Sequence, residues 1–259
     1  MTAPKPGTVS ADTGQPLTIA EAIAAELRLR GTPERAAKEK AYLKSPLDHC
    51  GVSVPETRSI VTAQLRSVEG GAGAGVSRDF AVAVAEALWE TPIHELRSAA
   101  VMVLITAKDH LGGDDAPLIE RFLRESRTWA LVDPLAGDLV GPLTEVTADF
   151  DPVLERWAVD KDFWLRRSAL LAHLRPLRAG GGDFDRFSRF ADVMLQEREF
   201  FIRKAIGWVL RDTAKKRPDL VFEWLLPRAR RASGVTIREA IRPLSPEQQA
   251  AIRAADRSD

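Results

Sequence analysis

The sequence holds a single cysteine, a single tyrosine and no net charge, with 37 Lys and Arg against 37 Asp and Glu. One thiol, Cys50, excludes an intramolecular disulfide, and with no His-Asn arrangement near it the residue reads as a small buried hydrophobe rather than a nucleophile. Long apolar runs are missing too. Stretches such as EAIAAELRLR and AVAVAEALWE are interrupted by charge, and none approaches the roughly 20 apolar residues of a membrane span. The opening MTAPKPGTVSADTGQP has no basic segment followed by an apolar core, so residues 1–16 are expected to be a disordered polar leader and the protein cytoplasmic. His49, His94, His110 and His173 show neither H-x-x-x-H spacing nor a cysteine partner, which predicts no metal and no cofactor. The glycine-rich stretch 69–75 lacks a Lys-Ser/Thr ending and follows a helical pattern; it is an interhelix loop rather than a phosphate loop.

Strand signals are absent as well: no run of four to eight residues alternates cleanly or is enriched in β-branched residues. What the chain has is 45% hydrophobic residues at helical spacing, enough for a sizeable core. The fold class is all-α. Thr91-Pro92 and Asp151-Pro152 offer capping side chains followed by proline at a first helical position, and Ser245-Pro246-Glu247-Gln248 adds a capping box. Breakers at Gly70 to Gly75, Gly112-Gly113, Gly137, Gly180 to Gly182 and Pro218 divide the chain into helices that pair about every 35 to 45 residues, a period typical of helical-repeat solenoids. Residues 17–259 are read as one domain of this kind.

Zero net charge argues against a nucleic-acid ligand, because neutralised phosphates supply most of the affinity for DNA. The mean conceals polarity, however. Residues 1–160 carry 16 basic against 24 acidic side chains, and residues 161–245 carry 19 against 10. One part can attract an anion while the rest keeps the chain soluble.

Six tryptophans accompany the single tyrosine, and the informative ones stand beside charge. In Trp129-Ala130-Leu131-Val132-Asp133 the indole and the carboxylate are four apart, hence stacked about 6 Å apart on one helical face. A buried Asp133 beside Val132 and Pro134 needs a partner or a role, or else it caps the helix after Pro134. The segment 160–171 begins with acidic capping candidates and continues as an apolar helix carrying arginines. On one continuous helix Arg167 and Arg175 fall within about a quarter-turn, either a geometry that can clamp consecutive phosphates or ordinary surface arginines. In the segment 200–211 and beyond, Lys204, Trp208, Arg211 and Lys215 form a single stripe, where cations meet phosphates and the indole stacks on sugar or base. Gly207 within that helix implies the close approach of another backbone.

Taken in order, these segments resemble the AlkD-like DNA alkylation repair glycosylases. The longest match is FF-I-x-K-A-I-G-W-x-L-R at 200–211. Shorter ones are Tyr42-Leu43-Lys44, Gly51-Val52-Ser53-Val54-Pro55 with Arg58, Leu88-Trp89-Glu90-Thr91-Pro92 with Glu95, and Arg238-Glu239-Ala240. The resemblance implies a HEAT-like repeat solenoid with a concave DNA-binding face. It also implies an enzyme, nucleoid-associated when bound, that releases cationic 3-methyladenine and 7-methylguanine from double-stranded DNA without flipping the base; a monomer is the default expectation. By the same resemblance Trp129, Asp133, Arg167 and Trp208 are catalytic, Tyr42 flanks the lesion, and Arg175 and Arg211 bind the backbone beside Lys204 and Lys215. Where the family often has a second tryptophan and another aspartate, this chain has Thr128 and Ala130. The competing reading is a non-catalytic HEAT-like module that binds DNA structures or protein partners.

Overall fold

A computed structural model of the chain describes residues 14–68 and 76–257. Among the described residues the regular secondary structure is all helical; the one extended pairing is an isolated bridge between Asp48 and Ile93. None of these helices is long and apolar enough to cross a membrane. The sequence reading treated 17–259 as one domain, and contacts group the helices into two compact units, the first ending at His110 and the second beginning at Leu111.

The N-terminal unit contains α1 (Gly14–Arg30), α2 (Pro33–Leu43), α3 (Val54–Val68), α4 (Arg78–Trp89) and α5 (His94–Thr106). Helix α1 begins at Gly14, so the last residues of the expected leader are already helical; residues 1–13 and the glycine loop 69–75 lie outside the described residues. Helix α4 shows why these segments pack. Ala81, Val84, Ala85, Leu88 and Trp89 recur at three- and four-residue steps, giving one buried face against α5 and α1. Ser77 accepts a bond from the Phe80 amide and starts the helix. Between α2 and α3 the chain runs as a strap, residues 44–53, laid across the start of α5: the Asp48 amide donates to the Pro92 carbonyl at 3.0 Å and the His94 amide to the Asp48 carbonyl at 2.8 Å. Glu95, 2% exposed, accepts from the amides of Cys50, Gly51 and Val52, which is what makes its burial tolerable. Cys50 is half-buried, and burial first, then the Glu95 charge, push its thiol up to about 11, far from a reactive thiolate.

The C-terminal unit contains α6 (Ala116–Ser126), α7 (Trp129–Asp133), α8 (Gly141–Val146), α9 (Asp151–Ala158), α10 (Phe163–Leu171), α11 (Leu174–Ala179), α12 (Phe184–Met194), α13 (Phe200–Ala214), α14 (Pro218–Leu225), α15 (Gly234–Ala240) and α16 (Pro246–Arg257). Its repeat is written in its ion pairs. Arg167–Asp133 and Arg189–Glu155 are 34 residues apart, Arg186–Asp151 is 35, and Arg124–Asp160 and Arg228–Asp192 are 36. Equivalent positions of successive helix pairs thus touch every 34–36 residues, at the short end of the expected period, and the stack is a helical-repeat solenoid.

Several boundary expectations hold and several fail. Ser245 accepts from the Gln248 amide while the Gln248 side chain accepts from the Ser245 amide, the capping box expected there. Thr91-Pro92 does not start a helix: α5 begins at His94, and the Pro92 carbonyl instead holds the strap. Asp151 is the first residue of α9 rather than its cap and is occupied by Arg186. Gly137 breaks nothing, because it lies in a run of π-helical turns, Pro134–Val140, that joins α7 to α8. Pro134 has no amide hydrogen to continue the α-helical pattern of α7, which explains where the widening begins.

Candidate functional site

Thr128 caps α7 by accepting from the Ala130 amide, and Leu131 and Val132, both 0% exposed, root the helix in the core. This leaves Trp129 and Asp133, its first and last residues, on one face. The Asp133 carboxylate accepts two hydrogen bonds from Arg167, Nε to Oδ1 and Nη2 to Oδ2, each 2.8 Å long. The remaining Arg167 nitrogen, Nη1, donates to the main-chain carbonyl of Phe201, and the guanidinium lies 5.7 Å from the centre of the Phe201 ring. One side chain of α10 therefore ties α7 to α13. Arg167 is 3% exposed and the Asp133 side chain 13%. Burial is the larger influence on Asp133 and holds its pKa above the usual aspartate value, against the opposing pull of Arg167.

Two expectations about these residues change. Asp133 makes no capping bond to the backbone that follows. Arg167 and Arg175 do not share a helix: α10 ends at Leu171 and Arg175 lies on α11, so the expected phosphate clamp is not formed. Arg167 is consumed by Asp133 and Phe201, while Arg175, half-exposed, bonds Asp138 in the π-helical turns at 2.7 Å.

Helix α13 starts from Glu199, whose side chain accepts from the Phe201 amide. Gly207 does mark a close approach: a Cβ there would lie 2.8 Å from the Glu239 Cβ and 3.0 Å from the Thr236 carbonyl oxygen of α15. The predicted stripe of Lys204, Trp208, Arg211 and Lys215 is present, but its cations are paired. Glu239 holds Lys204 at 2.9 Å, Arg211, and Arg242 at 3.3 Å. Asp212 holds Arg178, Lys215 at 2.6 Å, and Arg211 at 3.7 Å, and accepts from the Trp208 indole N–H at 3.2 Å. The two carboxylates are buried, 2% and 8% exposed as side chains, whereas Lys204, Arg178, Lys215 and Arg242 range from 41% to 61%. Five cations over two buried carboxylates leave a local excess of positive charge directed to solvent, which reconciles a neutral chain with a basic face. Burial works to raise the pKa of both carboxylates, but Lys215 and Arg178 outweigh it at Asp212, as do Lys204 and Arg211 at Glu239, so both are held below their ordinary values.

The tryptophans divide cleanly. Trp89, Trp157, Trp164 and Trp224 are core residues, while Trp129 and Trp208 are half-buried, each beside an acidic residue. Tyr42 lies in the last turn of α2 in the N-terminal unit, 73% exposed. Sequence reasoning missed Asp138, Arg178, Asp212, Glu239 and Arg242 as part of the site. A signal existed: Asp138–Arg175, Arg178–Asp212 and Lys204–Glu239 are opposite charges 37, 34 and 35 residues apart, one repeat.

Comparison with known proteins agrees with this architecture. The family described as DNA alkylation repair enzyme matches residues 23–244, a span that runs through both units. A solved structure described as a predicted DNA alkylation repair enzyme from Enterococcus faecalis superposes with a TM-score of 0.73 at 22% identity, covering 83% of this chain and 97% of that one. Comparison with curated proteins found no match. With the family matched across nearly all of the described helices, the chain belongs to the DNA alkylation repair enzyme family.

Proposed function

We propose that the protein is a DNA glycosylase that hydrolyses the N-glycosidic bond of cationic alkylated purines, 3-methyladenine and 7-methylguanine, in duplex DNA. The observation that carries this reading is the Asp133 carboxylate, fixed by two bonds from a buried guanidinium on the helical face that also bears the half-buried Trp129. A purine alkylated at N3 or N7 is positively charged. When the bond from C1′ breaks, its electron pair neutralises the leaving base, so little acid catalysis is needed. The positive charge moves to the sugar, and Asp133 stabilises that oxocarbenium-like centre and orients the water that captures it, leaving an abasic site.

Arg167 then acts as a positioning residue: its fork fixes both carboxylate oxygens, and with all three nitrogens engaged and the side chain 3% exposed it is not presented to a phosphate. Trp129 and Trp208 pack on the deoxyribose and offer their π faces to the cationic centre. Arg175, Lys204, Arg211 and Lys215 exchange their carboxylate partners for DNA phosphates. The resemblance implies that the lesion stays stacked, the base is not flipped and Tyr42 flanks it, and chemistry directed at the sugar is compatible with that. The protein acts as a monomer on chromosomal DNA in the cytoplasm. Asp133→Asn is expected to lower release of 7-methylguanine from methylated duplex DNA by about 100- to 1000-fold, read by chromatography of the freed base, with DNA affinity kept. Undiminished release by that variant would overturn the role of Asp133, and no release by the parent protein would favour a non-catalytic DNA-binding module.

A further inference from the structure

The N-terminal unit carries a cluster that the proposed function does not use. Glu39 of α2, His49 of the strap and Glu95 at the start of α5 each offer a ligand atom, all within 4.8 Å of one another. Glu95 is anchored by the strap: its Oε1 accepts from Gly51 and Val52, but its Oε2 accepts from Cys50 alone and keeps a lone pair. Glu39 gives Oε1 to Arg35 at 2.7 Å, and its Oε2 stands apart from that ion pair. His49 is the telling member. Both of its ring nitrogens are buried without a hydrogen-bond partner, and its ring is held by stacking on His94 at 4.7 Å and 16°. His94 is itself 7% exposed and its Nδ1 has no partner. Buried imidazole nitrogens are costly to leave unmet, and these lie where water does not reach.

We infer that Glu39, His49 and Glu95 form a binding site for a divalent first-row transition ion, zinc(II) foremost, through one imidazole nitrogen and two carboxylate oxygens. The nitrogen in the donor set selects against magnesium and calcium, which prefer oxygen throughout. Zinc ligand bonds of about 2.0–2.2 Å require the three groups to close in slightly. Glu39, partly exposed on its helix and paired with the exposed Arg35, is the group that would move, while the backbone bonds of Glu95 hold it in place. The ion would join α2, the strap and α5, a structural role. Local spacing rules do not find such a site, since its residues come from three separate segments.

The test uses the full-length protein, stripped with chelator and titrated calorimetrically with zinc chloride, with magnesium chloride as a second arm. One equivalent of zinc is expected to bind at micromolar affinity or tighter, and magnesium not to bind. His49→Ala should weaken zinc binding by roughly 30-fold or more, and Glu39→Gln by about tenfold. Cobalt(II) at the same site should give ligand-field bands without thiolate charge transfer, keeping Cys50 out of the ligand set. Absence of saturable zinc binding, or one-equivalent binding that both variants retain in full, overturns the proposal. Should circular dichroism show that His49→Ala does not fold, Glu39→Gln alone decides.

Discussion

Asp133 meets one guanidinium and is buried with it, whereas Asp212 and Glu239 lie beneath five cations, most of which keep their heads in water. The difference in proportion separates two tasks. A one-to-one pair shielded from solvent fixes a carboxylate in position and leaves no cation to spare. Buried carboxylates shared among several exposed cations keep long side chains extended and evenly spaced, yet leave positive charge for an external anion. The first arrangement suits chemistry at a point; the second suits holding a polyanion.

The largest effect should come from breaking the one-to-one pair on one side. Arg167→Met leaves Asp133 buried and unpaired and strips the Phe201 carbonyl of its donor, so a loss of about 3–5 kcal/mol is expected from denaturant unfolding. The double variant Asp133→Leu with Arg167→Met removes both charges. It should recover most of that stability while showing no base release. If the double variant is as unstable as the single, the pair is there for the fold and its assignment to catalysis loses its support.

Acid should also separate the two regions, because their carboxylates are shifted in opposite directions. Asp133 is raised, so the folded chain takes its proton more readily than the unfolded chain; at this group acid favours the fold and abolishes the anion that catalysis needs. Asp212 and Glu239 are lowered, so their stabilisation is present above their ordinary values and disappears only as pH falls through the depressed ones. Base release should therefore fall about tenfold per pH unit on an acid limb lying above 3.8, while DNA binding measured by anisotropy persists. His173 sets the floor of that experiment. Burial pushes it down to about 4, so stability is full above its unfolded value of 6.5 and declines as pH falls toward 4, by about 3 kcal/mol. Parallel loss of binding and turnover, with the protein still folded, would contradict the separation.

A smaller effect is expected from Gly207→Ala. The added methyl has no room against the Glu239 Cβ and the Thr236 carbonyl, and the gap between α13 and α15 must open, costing about 1–3 kcal/mol in thermal unfolding. Because Glu239 is the neighbour displaced, DNA affinity should move with it while Asp133 chemistry on bound DNA is kept. A variant as stable as the parent would mean that the two helices tolerate separation.

Much of this comparison was legible in the sequence, and the illegible part has a common cause. Ser245 with Gln248, Asp162 bonding the Trp164 amide at 2.9 Å, and Gly207 were read correctly because their signals are local. Trp129 and Trp208 stood out for the same reason, each within four residues of a charged side chain on its own helix. Arg167 was assigned to a phosphate because a sequence shows an arginine among its neighbours and not a carboxylate 34 residues earlier. The same distance concealed Glu239 and Asp212, so a stripe of paired cations looked bare. Thr91-Pro92 failed differently: the residues have capping chemistry, but the strap 44–53 takes the Pro92 carbonyl and the helix starts two residues later.

The smallest expected effect bears most directly on the role of the shared carboxylates. Glu239→Gln keeps the shape and an acceptor for Lys204 while removing the charge that Lys204, Arg211 and Arg242 surround. If these cations exchange Glu239 for phosphate, the substitution removes the competitor, and duplex affinity at low salt should rise a few-fold, on the order of 1 kcal/mol. The slope of log affinity against log salt should steepen by up to about 0.9 for each further phosphate contact. Asp133 is untouched, so the rate of base release from saturated enzyme should stay the same. A fall in affinity would show instead that Glu239 holds the cations in the pose that DNA requires, making the carboxylate a template and not a rival; either result is read from one salt titration beside one single-turnover measurement.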